Sequence, residues 1–166
     1  MRVLVQRVKR AAVSVAGEPI ARIGEGLLLL VGITHSDTDI ELAWMAAKCT
    51  ALRVFADDAG KLNRSLIDTG GDILAVSQFT LYGDASGGNR PGFTQAARPE
   101  VAAPAFERFV ALLQQRLGKQ VPTGRFGADM EVDLVNDGPV TIWLERSADQ
   151  TKAAQGNLGG PATSTA

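Results

Sequence analysis

The sequence predicts an α/β fold, a mixed sheet system with two helices packed on one side. Three observations carry this. Strand-length apolar runs fill residues 1–33 and return towards the C-terminal end, helical apolar stripes occur twice, and the order is strands, helix, strand, helix, strands. The glycine-rich pieces match neither a P-loop nor a dinucleotide fingerprint, so the arrangement is not a Rossmann fold.

The first 33 residues read as three strands. RVLVQRV puts Val3 and Val5 on one face, AAVSVAGEPIARI turns at Gly17, Glu18 and Pro19, and LLLLVGI has the unbroken apolarity of a strand covered on both sides. Thr38-Asp39-Ile40-Glu41 has the form of a capping box. The helix it opens carries the stripe Leu42, Met45, Ala46, Cys49 and Leu52, where Cys49 reads as a buried small hydrophobe and not a nucleophile. FADDAGKLNRSLIDTGG is rich in turn residues and leads into a strand from Ile73 to Leu81. GDASGGNRPGFTQAARPE has the composition of a functional loop. A second helix carries Phe106, Phe109, Val110, Leu113 and Leu117 and stops at Gly118. TGRFGADM is a loop, MEVDLVN a strand and VTIWLE the last strand. From Ser147 onward the chain is mostly Ala, Gly, Ser, Thr and Gln, so residues 1–146 are expected to form one domain and 147–166 a disordered tail.

With 45% hydrophobic and 21% charged residues in 166, the chain has the composition of a folded domain, not of a disordered or fibrous one. GLLLLVGI is too short to span a bilayer, and the N-terminus has no signal-peptide core. With a single cysteine, a cytosolic location is the default and no membrane partner is expected. A net charge of −1 argues against a wide nucleic-acid-wrapping surface and leaves room for a small patch contacting a few phosphates. Lys9 and Arg10 read as gatekeeping charges on a solvated strand edge.

Two words stand out chemically. SQFT, residues 77–80, closes a buried strand just before the long loop. Its hydroxyls either satisfy neighbouring backbone groups or face a ligand, and the residues alone leave both readings open. VNDGPVT, residues 135–141, puts a proline after turn chemistry, where it removes a backbone donor as the next strand begins. A nucleophilic Ser77 or Thr80 would need a base. The single histidine, His35, is adequately explained by helix entry, and no G-x-S-x-G elbow is present. No His or Cys pair at ligand spacing exists, so neither a metal nor another cofactor is expected.

VSQFTLYGD, NRPGFTQA, TGRFGADM and VNDGPVT, in that order, resemble the D-aminoacyl-tRNA deacylase family. VQRVKRAAVSVAGE, IGEGLLLLVGI and GKLNRSL fit the same family, and the resemblance covers residues 1 to about 146. It implies largely antiparallel sheets forming a barrel-like core, and a homodimer that hydrolyses the ester between a D-amino acid, or glycine, and the terminal adenosine of tRNA. Ser77, Gln78, Phe79 and Thr80 match the family's active-site motif. Gly138 and Pro139 match its Gly-cisPro motif, which enters the partner subunit's site. Arg7 matches an arginine that holds this motif, and Phe126 and Met130 fall where the family lines its adenine pocket. The implied stereochemistry is rejection: two carbonyl oxygens hold the substrate ammonium, and an L side chain would meet them. The implied partner is the aminoacylated 3′ end of tRNA. Two other readings stand beside it, a catalytically silent RNA-binding dimer and a general small-ester hydrolase using His35.

Overall fold

The computed structural model of the protein describes residues 1–150. β1 (Arg2–Val15), β2 (Glu18–Ile23) and β3 (Gly26–Gly32) form the expected opening strands. The β1–β2 turn is Ala16-Gly17, with φ of 51° and 79°, the left-handed pair that a two-residue hairpin requires. The turn expected at Gly17, Glu18 and Pro19 therefore lies one residue earlier, because Glu18 and Pro19 already belong to β2. As β2 pairs only with β1 at the end of the sheet, the missing N–H of Pro19 is tolerated there.

β3 lies between β1, antiparallel, and β6 (Asp72–Ser77), parallel. Leu27, Leu28 and Leu29 are all fully buried, as the unbroken apolar run implied. Leu27, Leu29 and Val31 face α1 (Asp39–Ala51) and α3 (Pro99–Leu117), whereas Leu28 faces a second cluster with Val8, Leu74 and Val76. Both long helices thus cover one face. Thr38 and Glu41 form the capping box of α1, and α3 ends at Gly118 with φ of 66°. The turn-rich segment has more order than its composition announced. It forms a hairpin of β4 (Phe55–Ala56) and β5 (Leu62–Arg64), then a single helical turn, α2 (Leu66–Thr69), capped reciprocally by Ser65 and Asp68.

Two strand readings are corrected. β6 stops at Ser77 and not at Leu81. The Gln78 N–H makes a last bond of 2.7 Å to Val31 O, after which residues Phe79–Tyr82 wind into a 3-10 turn. The two C-terminal strands are one element, β7 (Glu131–Glu145), and both halves pair antiparallel with β1. Gln6 faces Thr141 and Val8 faces Asn136, so residues 137–140 bulge out opposite Arg7. Asn136 Nδ2 closes the base of the bulge, 3.0 Å from Thr141 Oγ1.

A further register shift, between Val8 and Arg10, moves β1 from one core to the other. Val3 and Val5 pack under the helices; Val8, Ala11 and Val13 join the opposite cluster. The result is a mixed, mostly antiparallel, curled sheet with helices on one side. No described helix is long and apolar enough to cross a membrane. Ser147 and Gln150 exchange two hydrogen bonds, and residues 151–166 of the expected tail lie outside the described residues.

Candidate active site

A cavity of about 490 Å³ opens where β6 ends. Its floor is Val31, Ile33 and Val76, and Ser77, Gln78 and Phe79 form a polar lip. Two loops pinned to the sheet supply the walls. Ala97 N–H bonds Ile33 O at 2.9 Å and Thr34 Oγ1 bonds Gln95 O at 2.6 Å, which sets Phe93, Ala96 and Ala97 along one side. On the other edge of β6, Ala75 N–H bonds Pro122 O at 3.0 Å and Gly124 N–H bonds Ala75 O at 3.1 Å. This two-bond pairing carries residues 126–130 over the cavity, so Phe126 and Met130 line it. Phe106, from the inward face of α3, closes the back and packs on Phe126 with centroids 6.3 Å apart.

The lip has its own geometry. Phe79 is 57% exposed, unusual for an aromatic ring, and meets Phe93 edge-on at 5.0 Å. The Gln78 side-chain amide donates to Thr80 Oγ1. At the start of a 3-10 turn, the N–H groups of Phe79 and Thr80 have no acceptor within the turn. Arg2 holds the turn from behind: Nη1 donates to Leu81 O at 2.9 Å and the guanidinium lies 4.4 Å from the Tyr82 ring centroid. Burial, with the nearby Asp37 carboxylate second, pushes the Tyr82 hydroxyl well above its ordinary pKa, so it stays protonated.

Six of the nine site residues named from sequence therefore gather at one cavity: Ser77, Gln78, Phe79, Phe126 and Met130 line it, and Thr80 sits on its lip through Gln78. Gly138, Pro139 and Arg7 lie elsewhere. The Gly138-Pro139 peptide is cis, and both residues are exposed on the bulge. Arg7 fills the gap beneath it. Its Nη1 donates to Val54 O, its Nε lies 2.9 Å from Asp137 Oδ2, and a Cβ on Gly138 would come 2.7 Å from its Nη2. The Nε–carboxylate contact is an ion pair without hydrogen-bond alignment. Gly138 itself has φ of 112°, which L side chains rarely adopt.

Sheet register measures the separation. Ser77 pairs with Val31, Val31 with Val3, and the bulge faces Arg7. Four residues along the strand span about 13 Å, and β1 and β3 intervene between β7 and β6, adding about 14 Å across the sheet. The bulge does not reach the cavity of its own chain. His35 also stays apart. Its exposed ring lies 3.3 Å from Thr94 O and does not line the cavity, and among the described residues no hydrogen bond joins it to Ser77 or Thr80. Phe93 and Phe106 were not legible as site residues. The first stood in a loop read only by composition, and the second belonged to a helix face that reads as core.

A family model for D-Tyr-tRNA(Tyr) deacylase matches residues 4–145. The chain is 59% identical over 145 residues to the D-aminoacyl-tRNA deacylase of Chlorobaculum parvum, covering 87% of this chain and 97% of that protein. It is 60% identical to the enzyme of the same name from Chromobacterium violaceum, with the same coverage. Among solved structures, a c-Myc DNA unwinding element binding protein superimposes with a TM-score of 0.84 at 44% identity, covering 89% of this chain and all of the other. A probable eukaryotic D-amino acid tRNA deacylase shares the fold, with a TM-score of 0.76 at 20% identity over 86% of this chain and 97% of the other. With nearly all of the described residues matched and the SQFT lip seated at the cavity, this protein belongs to the D-Tyr-tRNA(Tyr) deacylase family.

Proposed function

We propose that the protein hydrolyses the ester joining a D-amino acid, or glycine, to the terminal adenosine of tRNA, acting as a homodimer. The observation that carries the reading is the cavity itself: an apolar, aromatic-walled space of about 490 Å³ with one polar lip at residues 77–79, in a chain of this family. Its size lies in the usual range for small-ligand sites, and Phe106, Phe126 and Met130 suit a flat base.

The ester then lies at the lip. Backbone N–H groups of Phe79 and Thr80 stabilise the oxyanion as water attacks the ester carbon, and the 2′-hydroxyl of the terminal ribose assists that attack. The alternative, a covalent Thr80 intermediate, lacks a base, and the Thr80 hydroxyl already accepts a hydrogen bond from Gln78. The bulge of one subunit faces the cavity of the other, which the separation within one chain favours. There the carbonyl oxygens of residues 138 and 139 take the substrate ammonium. With ammonium and ester both fixed, an L side chain collides with the carbonyls while a D side chain points away, and glycine passes.

The experiment is release of amino acid from paired D- and L-tyrosyl-tRNA by the purified protein. Fast release from the D form and little from the L form is expected; equal rates would remove the stereochemical account. In the same assay Thr80→Ala should keep turnover within about tenfold of wild type, since it removes no attacking group. An acyl-enzyme trapped on Thr80 would replace the substrate-assisted mechanism.

A further inference from the structure

Beside the lining residues of each cavity wall stands an arginine. Arg98 stands between Ala97 and Pro99, which both line the cavity, and Arg125 immediately precedes Phe126. Both side chains are exposed, yet both leave backbone that is fixed, by the Ala97 and Gly124 bonds to the sheet. Among the described residues neither side chain makes an ion pair or a hydrogen bond, which is true also of Arg22 and Arg90, away from the cavity lining. Arg2, Arg7, Arg10, Arg108 and Lys119, in contrast, each meet a carboxylate.

Arg98 is also a poor structural choice. It is the N-cap of α3 and makes no side-chain capping bond. Its cation faces the positive end of the helix dipole, where an anion or a short hydroxyl residue would stabilise. The other two helices show the alternative, with Thr38 and Ser65 capping α1 and α2. Folding thus favours a different residue at position 98.

We propose that Arg98 and Arg125 grip phosphates of the nucleic-acid strand whose terminal nucleoside occupies the cavity. This rests on the function proposed above and adds the contact that separates a tRNA end from a free aminoacyl nucleoside. A strand leaving the cavity must carry its phosphates over the rim, and planar guanidinium groups match phosphate oxygens in pairs. With a formal net charge of −1 the molecule exerts no general pull on RNA, so local contacts of this kind must supply it.

The test compares D-tyrosyl-tRNA with D-tyrosyl-adenosine, which has no phosphate. Arg98→Ser and Arg125→Gln should each raise KM for the tRNA roughly fivefold with kcat unchanged, and leave hydrolysis of the nucleoside ester alone. The slope of log kcat/KM against log salt should become shallower by about 0.7 per arginine. Arg98→Ser should at the same time raise Tm, because it restores a cap, and Arg98→Lys should recover part of the KM. Unchanged KM on tRNA, or equal losses on both substrates, overturns the proposal. If wild type releases nothing from D-tyrosyl-tRNA, the functional reading itself fails. Binding of uncharged tRNA to the same variants then still decides the arginines, and undiminished affinity overturns their role.

Discussion

Cys49 shows how one side chain follows from its place in a stripe. It lies fully buried on the inner face of α1, and burial pushes its thiol from the ordinary 9.0 up to about 12. Between those values the unfolded chain gives up the proton while the folded chain keeps it, so stability falls as pH rises from 9 towards 12. The buried Tyr82 hydroxyl, also raised, acts in the same direction. Thermal midpoints of wild type should therefore decline more steeply above pH 9 than those of Cys49→Ala, and a thiol reagent at pH 8 should label Cys49 only as fast as the protein opens. Rapid labelling of the native protein would contradict this. The sequence already implied a buried, unreactive Cys49, because its neighbours on the stripe are three and four residues away. It gave no such hint for Phe93, whose role depends on Thr34 and Ile33 drawing a distant loop onto the sheet.

Among the elements, β3 and β7 were legible to different degrees. An unbroken apolar run is enough to mark β3 as central, since only a strand covered on both faces keeps such a pattern. Its start is fixed by contact: a Cβ on Gly26 would overlap the Asp72 carbonyl oxygen and lie 2.7 Å from the Asp72 nitrogen, in the pairing with β6. Gly26→Ala should cost about 3 kcal/mol in urea unfolding, while Gly24→Ala, with nothing within 4 Å, should change stability by under about 0.5 kcal/mol. Similar midpoints for the two would refute the contact. β7 was read as two strands because Asn-Asp-Gly-Pro is turn chemistry in any local window. A turn and a bulge share that chemistry, and only the partner strand distinguishes them. Here one partner, β1, runs past both halves, and Arg7 fills the space that the looped-out residues leave. The 3-10 turn after Ser77 was hidden for the same reason: FTLY suits a strand until β3 runs out beside it.

At the scale of the molecule, the cavity and the Gly138-Pro139 bulge lie on different parts of one curled sheet, so the proposed chemistry needs two copies. Ser77→Tyr should fill one cavity, and Gly138→Ala should push Arg7 away through a Cβ 2.7 Å from Nη2. Each variant alone should be inactive. Unfolded and refolded together, they should regain about a quarter of wild-type activity, because half of the dimers then hold one intact site. No recovery from mixed dimers would place the bulge outside the reaction. By itself the sequence determined the three opening strands, the two long helices, the buried face of each and the words that the proposed chemistry uses, because all of these depend on periodicity and spacing within a few residues. Tertiary structure decided where β6 ends, that β7 is one bent strand, which aromatic rings wall the cavity, and how far the bulge stands from it. Those facts depend on which distant strand runs alongside, and no local pattern of residues encodes that.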